Sequence, residues 1–449
     1  MKQLRSLFSL PVLTIFVLAV SVRVMYNRVV ANGYYPLHDS QTYQAIALNI
    51  LHEHCYCYLP HLSTVDRAPL WPLAIAAIYA VLGEHDMMVR LFLSLVGAGT
   101  CVLIYYFVRD LFGSRIALIA GLAASVYPFL FIYDGWLYSE SLYIFLLFAF
   151  CYALYRLQRT PSRSLMLISG ILLGLVSLTR PNGLIILGLF IAWAMVLGIA
   201  KVQTWRILLQ SVVLITLVTL VIILPWTIRN YVVTHALVPI ATGDGKVLIG
   251  AYNNKIDNPN SQDRQYYQQY LGTWLKPEEV APQLVKQFPA NCSGACEVAR
   301  DNVYKAAALQ WIGSHLNKLP HVFVLHAAYL WQTTSSEADF PFNRFPDRIY
   351  SKLTIVLMEL YTPLLFLLAA IGLIVTLRRW RELLFIYSMI ALTFAQSVAL
   401  YGFARFRAPI EPMLLVLAAG AVWWLATLFM KRRKGVEQSM PVPILEKIS

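Results

Sequence analysis

Several short stretches of this 449-residue chain carry acids and arginines in settings where transfer chemistry on an anionic ligand would need them. Asp39 opens DSQTYQAIALNI, and Asp66-Arg67 closes the same polar loop in DRAPLWP. Glu140 sits in YDGWLYSESLY, Arg180 in LTRPNG, Arg229 in LPWTIRNY, and Arg405 and Arg407 in YGFARFRAPIEP. A carboxylate can take the proton from an attacking hydroxyl. Guanidinium groups are planar, permanently charged and suited to phosphate or carboxylate.

Taken singly, each residue has a plainer explanation. Tyr43, Ile46, Ala47, Ile50 and Leu51 follow Asp39 on one helical face, so Asp39 reads equally well as a helix N-cap. The helix itself has the pattern of one lying along a membrane surface. A lone arginine at a helix end snorkels to the interface, and for Arg405 or Arg407 alone that account suffices. Glu140 could salt-bridge an arginine, and Asp134 competes weakly for its role. Convergence on one side is what favours a site. His52, His54, Cys55 and Cys57 supply metal-ligand types in HEHCYC, but their spacing fits no standard zinc pattern. The chain contains no phosphate loop, dinucleotide fingerprint or Ser-His-Asp order.

The elements that must position these residues are membrane helices. Of the residues 59% are hydrophobic and 13% charged, with mean hydropathy +0.61. Apolar runs of about 20 residues recur, the length that crosses hydrocarbon. Spans are expected near 7–25, 88–108, 115–133, 137–155, 164–180, 183–200, 207–227, 352–376, 382–401 and 408–430. The net charge of +13 lies in alternate short loops, which is the positive-inside pattern and not a nucleic-acid footprint. That parity puts both termini inside. It leaves the apolar run 68–83, with Pro69 and Pro72, as an interfacial or re-entrant segment.

Two outer regions result, about 26–87 and 231–351. Together they divide the chain into an N-terminal membrane core (1–230), a periplasmic loop or small mixed domain (231–351), C-terminal spans (352–434) and a basic tail (435–449). Cys55, Cys57, Cys292 and Cys296 all fall outside, which suits disulfides or free thiols equally.

In order and topology these stretches resemble the GT-C glycosyltransferases of the protein-mannosyltransferase and aminoarabinose-transferase type. The features that carry the resemblance are HDSQTYQAIALNI, DRAPLWP, YDGWLYSESLY, LTRP, LPWTIRNY, RFRAPIEP and the outer PIATGDGKVLIGAYNN. The resemblance implies an all-α polytopic GT-C fold with about ten spans, interfacial helices in the first outer loop and one large periplasmic loop. It implies inverting transfer of a monosaccharide from a polyprenyl-phosphate donor to a hydroxyl acceptor at the outer face of a bacterial inner membrane. Carried over, Asp39 is the general base, Glu140 the second carboxylate, and Arg67 and Arg229 the donor-phosphate ligands. His38, Tyr43, Asp66, Arg180, Arg405 and Arg407 are candidates for substrate contact. Ser40 stands where many members have a second acid, so no obligatory metal is expected. The outer loop does not suit the lectin-like domain of eukaryotic protein mannosyltransferases. The rival class is a transporter or flippase of a lipid-linked or anionic substrate, which would show related halves and mid-membrane charge.

Overall fold

The computed structural model describes residues 9–29, 31, 39–255, 274–334 and 348–439. His38 lies outside them. Eighteen α-helices are described, and six helical stretches are long and apolar enough to cross a membrane: Leu10–Val29, Asp86–Phe112, Glu140–Arg159, Trp205–Thr234, Lys352–Ala399 and Ala404–Met430. Four shorter apolar helices join them: Leu70–Leu82, Ser114–Val126, Arg163–Thr179 and Gly183–Ile199. The chain is a multi-span, all-helical membrane protein.

In chain order the helices are α1 (Leu10–Val29), α2 (Asp39–His52), α3 (Leu70–Leu82), α4 (Asp86–Phe112), α5 (Ser114–Val126), α6 (Glu140–Arg159), α7 (Arg163–Thr179), α8 (Gly183–Ile199) and α9 (Trp205–Thr234). They continue with α10 (Asp244–Ala251), α11 (Pro277–Val280), α12 (Pro282–Val285), α13 (Ala295–Ser314), α14 (Leu319–Leu330), α15 (Arg348–Thr376), α16 (Trp380–Ala399), α17 (Ala404–Arg407) and α18 (Glu411–Ser439). A hairpin of Cys57–Leu59 (β1) against Leu62–Ser63 (β2) interrupts the first polar loop. The expected span at 115–133 is shorter than its apolar run. Its helix ends at Val126 and passes into two 3-10 turns from Pro128, whose ring supplies no backbone N–H.

One continuous apolar cluster runs through α1, α4, α5, α6, α8, α15, α16 and α18. Where α7 crosses α9, the backbones approach closely. A Cβ on Gly170 would stand 2.7 Å from Val218 Cβ, and Thr219 Oγ1 donates to Gly170 O at 3.1 Å. Small residues at such crossings supply packing that lipid cannot.

The segment after α9 is helical over 300–331, as its sequence reads, and forms a further helix at Asp244–Ala251 where the sequence is rich in turn residues. Among the described residues of 231–351 there is helix and turn but no strand. Its apolar residues form two small clusters, around Tyr304 and around Trp311. Its described residues form a helical cap, with no large domain evident, and Tyr252 Oη bonds it to the bundle by donating to Ala399 O at 2.6 Å. The run 68–83 is a true helix from Leu70, with Pro72 in its first turn, where a missing N–H costs nothing. Both outer cysteine pairs, Cys55–Cys57 and Cys292–Cys296, are disulfide-bonded.

Candidate active site

Helix α6 fixes the frame. Glu140 is its first residue and Arg156 and Arg159 stand in its last turn, about 30 Å away for 20 residues. At the far end the arginines gather with one another's loops: Arg159 donates to Asp110 O, and Arg379 to Leu111 O. At the Glu140 end a different group of charges meets.

Asp39 begins α2, where the helix dipole favours an acid. Its carboxylate accepts from two guanidinium groups, Arg67 Nη2 on Oδ1 at 3.1 Å and Arg405 Nη1 on Oδ2 at 3.0 Å. Arg405 turns its Nε to Glu140 Oε1, and Arg180 Nη2 reaches the same oxygen. The result is one alternating row: Arg67, Asp39, Arg405, Glu140, Arg180. Its members come from α2, the loop before α3, α6, the end of α7 and α17. Arg405 also lies flat on Tyr138, 3.9 Å from the ring centre, and Arg180 on Tyr143 at 5.2 Å.

Burial differs along the row. The Glu140 side chain is fully enclosed, while Asp39 keeps 32% of its surface. Glu140 Oε2 and Arg67 Nε are buried with no hydrogen-bond partner among the described residues. Atoms of this kind are rare unless a ligand or water completes them. Desolvation pushes the Asp39 carboxyl up, but Arg67 and Arg405, with a smaller contribution from Lys246, hold it well below the usual carboxylate range. The Tyr43 ring lies 5.9 Å from the Arg67 guanidinium, and its hydroxyl is pushed up by burial first and by Asp39 second.

Lys246 was not legible as a site residue. It stands on α10, where its backbone N–H donates to Asp301 Oδ1 at 3.1 Å. Gly245 is needed there, because a Cβ would meet Asp301 O at 1.9 Å. Asp66 lies beside this helix start, its Oδ1 3.6 Å from where a Gly243 Cβ would be.

Two arginines expected at the site are placed differently. Arg229 spends Nη1 on Thr64 O at 2.7 Å and Nη2 on Tyr56 O at 3.1 Å, over the Trp226 ring. It supports the loop that carries Arg67 and is not in the row. Arg407 is fully buried and pairs with Glu411 at 2.6 Å, donating also to Leu330 O and Gln332 O. Its partner four residues on belongs to the same RFRAPIEP stretch, so the spacing itself pointed to an internal pair. Asp134 is fully buried against Arg23 and Ser141, away from the row. Among the described residues no group of three or more His, Cys, Asp or Glu could hold a metal.

Residues 66–228 match the family described as dolichyl-phosphate-mannose-protein mannosyltransferase. That range takes in Arg67, Glu140 and Arg180; Asp39 and Arg405 lie outside it. The archaeal oligosaccharyltransferase AglB from Archaeoglobus fulgidus, in complex with an inhibitory peptide and a dolichol-phosphate, superposes with a TM-score of 0.56 at 15% identity, over 98% of this chain and 52% of its own. Its apo form gives 0.54 at 15% identity, over 95% and 52%. ArnT from Cupriavidus metallidurans, bound to undecaprenyl phosphate, gives 0.41 at 15%, over 96% and 79%. The chain spans about half the length of the oligosaccharyltransferases it matches. No curated protein matches it.

The fold is that of the multi-span membrane proteins with which the chain superposes, shared at 15% identity. Over residues 66–228 the chain is similar to the protein-mannosyltransferase family.

Proposed function

We propose that the protein transfers a monosaccharide, with inversion, from a polyprenyl-phosphate sugar to a hydroxyl acceptor on a cell-envelope glycolipid, glycan or protein. The reaction would take place at the periplasmic face of a bacterial inner membrane. The observation that carries this reading is Arg405, which bridges both carboxylates while Arg67 flanks the outer side of Asp39.

The charge balance suits a phosphate leaving group. Three arginines against two carboxylates leave one positive charge in the row, and Lys246 adds a second close by. A lipid-phosphate sugar is a diester with one negative charge, and the departing lipid phosphate gains a second. Guanidinium donors fixed where that charge develops lower the barrier.

Between two guanidiniums Asp39 is a weak base. A donor phosphate seated on Arg67 and Arg405 competes for both and frees the carboxylate, so its basicity rises only when donor is present. Asp39 then takes the acceptor O–H proton as the oxygen attacks the anomeric carbon. The sugar–phosphate bond breaks and its electron pair leaves with the lipid phosphate. Glu140, held by Arg405 and Arg180, offers the unpartnered Oε2 to a sugar or acceptor hydroxyl. Arg229 acts one step back, through the loop it supports. The reaction as drawn uses no metal ion, and its balance needs no other cofactor.

The test is acceptor-dependent release of polyprenyl phosphate by the purified protein in lipid vesicles, which a transporter would not perform. Arg67→Ala and Arg405→Ala should each lower donor turnover about a hundredfold, the scale of one lost transition-state donor. Undiminished turnover in both would overturn the phosphate assignment.

A further inference from the structure

The segment Thr64–Ala68 has no regular secondary structure, yet most of its backbone polar groups have a protein partner. Thr64 N donates to Tyr56 O at 3.1 Å, and Thr64 O accepts from Arg229. Thr242 N donates to Val65 O at 2.9 Å, and Asp66 N donates to Thr64 Oγ1 at 3.1 Å. Tyr56 Oη donates to Arg67 O and Ala68 O at 3.2 and 3.1 Å. A strap held this fully fixes the Cα of Arg67, and with it where the guanidinium can reach.

The remaining anchor comes from the outer cap, 233 residues away in the chain. Glu297, in the first turn of α13 and only 6% exposed, accepts from Thr64 Oγ1 on Oε1 and from Val65 N on Oε2, both at 2.7 Å. Both bonds end within three residues of Arg67. The carboxylate itself is held in place. It sits at the positive end of its helix, and the Cys292–Cys296 disulfide ties the turn immediately before it. Bonds to an ionised acceptor are about twice as strong as neutral ones. Nothing in the chemistry of the row uses Glu297 directly, and two buried, short, charge-assisted bonds to one strap need a purpose beyond solubility.

We propose that Glu297 is a positioning residue for the donor-phosphate site: it clamps the Thr64–Val65 backbone and so sets the reach of Arg67. The outer helical cap thereby becomes part of the active site although none of its bonds to the strap touches substrate. This inference rests on the reading of Arg67 as a phosphate ligand.

The experiment is a double-mutant cycle on donor use in vesicles, with Glu297→Ala, Arg67→Ala and the pair. A misplacement of about 1 Å costs on the order of 100-fold, so Glu297→Ala should reduce donor kcat/KM about 10- to 100-fold. Joined to Arg67→Ala it should add less than about twofold, because both act through one group. Joined to Arg180→Ala, on the other side of the row, its effect should multiply. Multiplying effects in the Arg67 pair, or an unchanged kcat/KM in Glu297→Ala, would overturn the clamp. If Arg67→Ala itself leaves donor use intact, the phosphate reading fails first and the clamp falls with it. Should Glu297→Ala not fold, Glu297→Gln and Thr64→Val each weaken the clamp more gently. Either can replace it in the cycle, where a non-additive loss with Arg67→Ala supports the clamp and a multiplying one overturns it.

Discussion

Arg405 reaches Asp39 from 366 residues downstream and ties it to Glu140. A sequence shows such an arginine only as a charge near a helix end, which snorkelling explains equally well. Asp39, Arg67, Glu140 and Arg180 were legible because each sits in a distinctive local setting, an acid opening an amphipathic helix or an arginine beside a proline. Lys246 and Glu297 were not, since charges in such a loop look solvated until the fold brings them to the site. The bridge calls for a planar fork, so Arg405→Lys should recover little of the activity lost in Arg405→Ala. Recovery to wild-type turnover, measured by product release, would reduce Arg405 to a point charge. Asp39 gives a pH test. Its pKa is lowered in the folded protein, so its pairing stabilises the fold above the unfolded value of about 3.9 and is lost only as pH falls below that. The melting temperature of Asp39→Asn should lie below wild type at pH 7, and the gap should stay constant down to about pH 5 and only begin to narrow below about pH 4. Scanning fluorimetry in detergent from about pH 3.5 to 8 spans this window.

Helices α2, α6, α7 and α17 each bring one end to the row, and their packing sets its geometry. Apolar runs revealed most of these helices, but run length is a poor guide to where a helix stops. The 115–133 run breaks at Tyr127-Pro128, and the 68–83 run folds as a helix in spite of two prolines, one before it and one in its first turn. The crossing of α7 over α9 is the joint that places Arg180. Gly170→Leu would drive a side chain into Val218. Overpacking of this kind costs about 1–3 kcal/mol. The variant should therefore melt several degrees lower and lose turnover in step with Arg180→Ala. An unchanged melting temperature would mean that the two helices can part without cost at this crossing.

Over the whole chain, alternating basic loops were the strongest signal, because charge is hard to move across a bilayer. They pointed to the separation now seen along α6, with Glu140 at one end and Arg156 and Arg159 at the other. The helices of the outer cap were legible over 300–331, where α13 and α14 lie, whereas the turn-rich stretch from 241 gave no sign of α10. The proposed orientation is testable with single cysteines at the exposed positions Glu84 and Arg163. In spheroplasts a membrane-impermeant maleimide should label the first and not the second; the reverse pattern would turn the site toward the cytoplasm.

The most direct test of the proposed chemistry is Asp39→Asn in vesicles, assayed with a polyprenyl-phosphate sugar and a pool of envelope acceptors. Polyprenyl phosphate should still bind, through Arg67 and Arg405, while sugar transfer falls by about 10²–10⁴-fold, the usual contribution of a general base. Transfer at near wild-type rate by the folded variant would contradict Asp39 as the base.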